Sequence, residues 1–111
     1  MTPSTGTLPI TMPPEVAARI DELGLRAELD RVLAYTQSVV ETLSTIRIVP
    51  YHDPLEPDGM RMEIVAIKEA RYVRQDSERR RWLDAVLAMI SPDFRRWFVF
   101  DLFSREMLNG W

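Results

Sequence analysis

His52 is the sole histidine of the chain, and it stands in Tyr51-His52-Asp53 with Glu56 and Asp58 close behind. An imidazole beside carboxylates has the parts of a proton shuttle, or of a metal site built from oxygen ligands and one ring nitrogen. The spacing argues for something plainer. Leu55 and Pro57 stand where a calcium loop needs alternating oxygen ligands. A zinc site would need a second histidine or a cysteine, and the chain has neither. The segment therefore reads as a hairpin loop whose acids keep it in water. A catalytic role around His52 and Asp53 stands only as a third hypothesis, which His52→Ala would test.

Nucleophile chemistry has less to work with. There is no thiol, no G-x-S-x-G turn and no phosphate-cradling glycine loop, and four glycines leave little material for one. The carboxylates are scattered over helix surfaces, as solvated faces are. No catalytic residue, metal set or cofactor is assigned, and a non-enzymatic protein is expected.

Arginine offers a different chemistry, the binding of anions. Arg71, Arg74, Arg79 and Arg80 lie close together in the sequence, with Arg81, Arg95 and Arg96 nearby, whereas Lys68 is the only lysine. Such a cluster suits RNA or an acidic protein. Arg79-Arg80-Arg81 cannot all point one way from a helix, however, and cations oppose the dipole at its start. The cluster supports a second hypothesis, a nucleic-acid-associated regulator, against a solvated face with snorkelling stems. The net charge of −3 weakly disfavours a dedicated nucleic-acid binder. A helix-turn-helix centred on Gly24 is disfavoured too. Asp30 would replace a buried apolar residue, and Glu15, Asp21, Glu22, Glu28 and Asp30 outweigh the arginines of that helix pair.

These residues are carried by six expected elements. Met1 to Thr11 is a Thr/Pro/Gly-rich lead-in, and residues 1–12 are set apart from a single α+β domain over 13–111. Pro13-Pro14-Glu15 opens a helix with Val16, Ile20 and Leu23 on one stripe, and Gly24 stops it. A longer helix runs from Leu25 to about Leu43, with Leu25, Leu29, Val32, Thr36, Val40 and Leu43 inward and Leu33 and Val39 widening the stripe. Arg26 and Asp30 pair on its wet side.

Thr45–Tyr51 and Arg61–Lys68 form a hairpin across the Pro/Gly-punctuated loop. Ile46 and Ile48 should face the core with Met62, Ile64 and Ala66. Val49, Tyr51, Val65 and Ile67 form a second apolar set opposite. Glu69 to Arg74 is open between strand and loop. A third helix, capped by Asp76 or Ser77, runs to about Ile90 with Trp82, Leu83, Val86, Leu87 and Ile90 inward, and Ser91-Pro92-Asp93 ends it. A last strand spans Arg95 to Phe103, and a helical turn follows over Ser104 to Asn109.

The expected architecture is α+β, in the order α-α-β-β-α-β. A three-stranded, mainly antiparallel sheet carries its helices on one face, with the last strand beside the first. The last strand is apolar on both sides: Phe98, Phe100 and Leu102 on one, Trp97, Val99 and Phe103 on the other, with only Asp101 breaking the second set. The helices cover the first set and nothing covers the second. Val65, Ile67, Trp97, Val99 and Phe103, with Arg95 and Arg96 at the rim, therefore form an expected interface. At 111 residues the chain fits one domain. It lacks a signal-peptide pattern and a membrane-spanning run, so a cytoplasmic protein without membrane contact is expected.

Pro13-Pro14-Glu15-Val16-Ala17-Ala18-Arg19-Ile20, Leu23-Gly24-Leu25 with Glu28-Leu29, and Asp53-Pro54-Leu55-Glu56-Pro57-Asp58 together resemble a group of small uncharacterised bacterial proteins. Asp76 to Trp82 and Ser91 to Phe98 are similar to that group as well. Val86 or its neighbours stand where the group has a second tryptophan. The resemblance implies an antitoxin-like or accessory role beside a toxin-like nuclease, and it brings no catalytic residue. The reading is a small protein–protein association module, acting as a homodimer or as the partner of another protein.

Overall fold

Gly24 turns the chain between the first two helices, and its backbone shows why glycine stands there. At φ 71° it is left-handed; its N–H donates to the Asp21 carbonyl, and that of Leu25 to the Ile20 carbonyl, both at 3.1 Å. This pair of bonds satisfies carbonyls that a helix end leaves open. The computed structural model describes residues 9–40, 43–52, 60–69 and 78–104.

Within them lie β1 (Ile10–Thr11), α1 (Pro14–Leu23), α2 (Arg26–Val39), β2 (Leu43–His52), β3 (Met60–Lys68), α3 (Arg80–Met89), α4 (Pro92–Trp97) and β4 (Phe98–Ser104). The fold is α+β, but its sheet is four-stranded and mixed. The order is β1-β2-β3-β4, with β1 parallel to β2, β2 antiparallel to β3 and β3 parallel to β4. Two expectations fall here. The sheet is not three-stranded and mainly antiparallel, and β4 does not lie beside the first hairpin strand. That edge belongs to β1: Ile10 and Thr11 pair with Ile46 and Arg47, and the Ile46 N–H donates to the Pro9 carbonyl at 3.1 Å. Each parallel pair is bridged by two helices, the long crossover such pairing needs.

Pro50 fits inside β2 because β1 is short. The N–H groups of even-numbered β2 residues point toward β1, as Ile46 shows, and β1 ends before it reaches Pro50. The missing donor thus falls where no neighbouring strand asks for one.

The helix-side face of the sheet follows the alternation in the sequence. Ile46, Ile48, Met62, Ile64, Ala66, Phe98, Phe100 and Leu102 are all buried. Val16 and Ile20 of α1, Leu29, Val32 and Leu33 of α2, Trp82 and Val86 of α3 and Phe94 of α4 close over them. Helix α2 stops at Val39 rather than Leu43, because Val40 has extended backbone and Leu43 already belongs to β2. Val39 is left 41% exposed and widens no stripe.

Polar groups that enter this core are paired. The Thr36 hydroxyl donates to the Val32 carbonyl at 2.7 Å and accepts from the Trp82 indole N–H at 2.9 Å, which ties α2 to α3. Lys68 is almost wholly buried and donates to Glu78, fixing the end of β3 to the approach of α3.

The segment expected as the start of the last strand is helical instead. Ser91 caps α4, its hydroxyl oxygen accepting from the Phe94 N–H at 3.2 Å, and Pro92 takes the first turn. Glu28 of α2 holds the cap: the Ser91 hydroxyl and N–H each donate to its carboxylate at 2.7 Å. Phe94 then stacks on Phe98, with ring centroids 4.1 Å apart. The strand begins at Phe98, and Arg95, Arg96 and Trp97 complete α4.

Candidate interaction face

The odd-numbered residues of β2, β3 and β4 point away from the helices, as the pleat requires. The strand registers arrange them in rows across the sheet. Thr45, Ile67 and Phe103 form one row, Arg47, Val65 and Asp101 the next, and Val49, Glu63 and Val99 a third; Tyr51 and Arg61 follow. Every buried apolar residue of the four helices belongs to the other face. Among the described residues, no helix packs on this one.

Of the expected interface residues, Val65, Val99 and Phe103 share this face and are half-buried, with Val49 and Tyr51 beside them. Ile67 lies at its end and is only 2% exposed, so it has little surface left to offer. Trp97 is elsewhere. As the last residue of α4 it packs against the helix-side core, and the guanidinium carbons of Arg19 and Arg96 lie 4.8 and 5.5 Å from its ring centroid. Cations over an indole face are favourable, and here Arg19 joins α1 to α4. Arg95 and Arg96 are exposed in the last turn of α4, where a positive charge suits the dipole.

The charges of the face are more organised than its apolar set. Glu63 and Asp101 are diagonal neighbours on adjacent strands, and their carboxyls share a hydrogen bond. Burial, that hydrogen bond and the negative charge of Asp101 together push the Glu63 carboxyl from 4.5 up to about 7. Near neutral pH Glu63 can thus hold its proton and donate it to the Asp101 carboxylate. Arg79, at the start of α3, donates to the same Asp101 at 3.1 Å. One residue of the expected anion-binding cluster is therefore engaged with a carboxylate of its own chain. Arg80 is exposed, while Arg71 and Arg74 lie outside the described residues.

His52 ends β2, paired with Met60, and Asp53, Glu56 and Asp58 lie outside the described residues. No group of three or more metal-ligating side chains occurs among the described residues. A groove of about 250 Å³ runs between α2 and α3, lined by Tyr35, Val39, Val40, Glu78, Arg81 and Trp82. No described helix is long and apolar enough to cross a membrane.

Sequence reasoning marked Asp101 as the break in an apolar set but passed over Glu63 and Arg47. The missing signal was the neighbour of β4. Only the parallel β3–β4 register sets Glu63 next to Asp101. No family model, curated protein or solved structure matches the chain.

Proposed function

We propose that the chain is a protein-association module that docks through the odd-numbered face of its sheet, with a second copy as the first partner to expect. The observation that carries this reading is the half-buried set Val49, Tyr51, Val65, Val99 and Phe103 on a face over which no described helix packs. Apolar side chains grouped in this way lose water when a partner covers them. Mixed charges among them suit a partner of defined shape and sign better than a membrane or a nucleic acid.

The face of three strands has a footprint of roughly 300 Å² per copy from strand and residue spacings. Two copies together would bury roughly 600 Å², below the size of stable specific interfaces, so a weak dimer is expected, in exchange with monomer at high micromolar concentration. Light scattering over a concentration series measures it. Wild type should rise toward the dimer mass, and Val65→Gln and Val99→Gln should each weaken the rise while leaving the circular dichroism spectrum unchanged. A chain that stays monomeric throughout, or a dimer indifferent to both substitutions, removes the proposal.

A further inference from the structure

One charge of the odd-numbered face is unpaired among the described residues. Asp101 accepts from Arg79 and from the Glu63 carboxyl, and Arg61 of the same face has a partner of its own. Arg47 is the unpaired one, an exposed guanidinium on the same face with no ion pair among the described residues. Arg47 and Asp101 share a row on either side of Val65. Two strand spacings, about 10 Å, separate them, so they cannot pair inside the chain.

A second copy brings them together. A two-fold axis lying between two stacked sheets and running along β3 turns one copy over and exchanges the β2 and β4 columns. Rows are kept. Arg47 of one copy then stands over Asp101 of the other, and the reverse pair forms at the same time. The next row sets Val49 over Val99, again twice, and on the axis Val65 meets its own counterpart. We infer that two copies of this chain stack face to face about an axis along β3, with Arg47 of each on the Glu63–Asp101 carboxyl pair of the other. Glu63 and Arg61 also meet their own counterparts on the axis; Glu63 is tied to the Asp101 of its own chain, and Arg61 already has a partner. Stacked sheets cross at about 30°, which leaves the residues nearest the crossing point in closest contact.

This inference rests on the association reading, and the two can fail separately. The test uses the full chain in three preparations: Arg47→Asp alone, Asp101→Arg alone, and an equimolar mixture of both. Each variant alone sets like charges opposite one another twice, and its dimer should weaken by about tenfold or more. The mixture restores one native pair and makes one reversed pair, so a dimer holding one copy of each should reappear in native mass spectrometry. Should Asp101→Arg not fold, Arg47→Lys replaces it: the lysine variant should keep the dimer that the aspartate variant loses. Two results overturn the arrangement while sparing the association reading: a wild-type dimer whose variants fail to combine, and an Arg47→Asp dimer as strong as wild type. The latter is what pairing along the outer edge of β4 would give. A monomeric wild type overturns both.

Discussion

Glu63→Gln should make the protein more stable in alkaline solution and leave it unchanged in acid. The Glu63 carboxyl sits at 4.5 in the unfolded chain and at about 7 in the fold, with burial the largest cause and Asp101 the rest. A carboxyl whose folded value is raised binds its proton more tightly when folded. Stability is therefore untouched below about 4.5, declines as the pH rises from there to about 7, and stays at its lower level above. Taken at face value the displacement is worth about 3 kcal/mol, at about 1.4 kcal/mol for each pH unit. Glu63 is half-buried on a sheet face, where water screens its charge, so about 1 kcal/mol is the better expectation.

Glutamine keeps the shape and the hydrogen bond, since its amide N–H can donate to Asp101 as the protonated carboxyl does. Urea unfolding of both proteins across this pH range, at one dilute concentration, reads the difference. The midpoints should coincide near the acid end of the range and separate above neutrality, with the glutamine variant ahead. A separation that does not change with pH, or a glutamine variant weaker in alkali, would refute the claim that the Glu63 charge is opposed by its surroundings.

Thr36→Val keeps the shape of the side chain but removes the acceptor of the Trp82 indole N–H inside the core. Urea unfolding should show a loss of about 1–3 kcal/mol, and Trp82→Phe should cost much less in the Thr36→Val background than in wild type. Gly24→Ala should cost about 1 kcal/mol, the left-handed penalty alone. A methyl at Gly24 would meet nothing within 4 Å, so thermal unfolding should show a modest shift and no change in fold.

The core was legible because its spacing repeats. The stripe Leu25, Leu29, Val32, Thr36 and Val40 is buried, and so is the alternating set Phe98, Phe100 and Leu102. What misled was punctuation that reads in both directions. Ser91-Pro92-Asp93 has the residues that end one helix, and equally a cap, a first-turn proline and an acid that start another. Only the next turn decides, and Arg95-Arg96-Trp97 is compatible with helix or strand until Phe94 stacks on Phe98. Ile10 and Thr11 are too short to show any period, yet they occupy the sheet edge expected for the last strand. With that edge taken, β4 lies against β3, and the carboxyl pair arises from that placement.

Placing Trp97 in α4 changes what kind of interface the odd-numbered face can be. Tight interfaces usually centre on a buried tryptophan, tyrosine or arginine. Here the indole packs on the helix-side core with Arg19 and Arg96 over its ring, and the face is left with Val49, Val65 and Val99 around Glu63. Three valines spread over two rows supply little area, so the apolar term alone would tolerate many partners and several registers. Discrimination must then come from the charges: the Arg47 guanidinium on β2 and the carboxyl pair at β3 and β4. Such charges choose partner and register more than they add affinity. For the association proposed above, neutralising Arg47 should cost mainly specificity, reversing its charge should cost strength as well, and replacing Val65 or Val99 should cost strength.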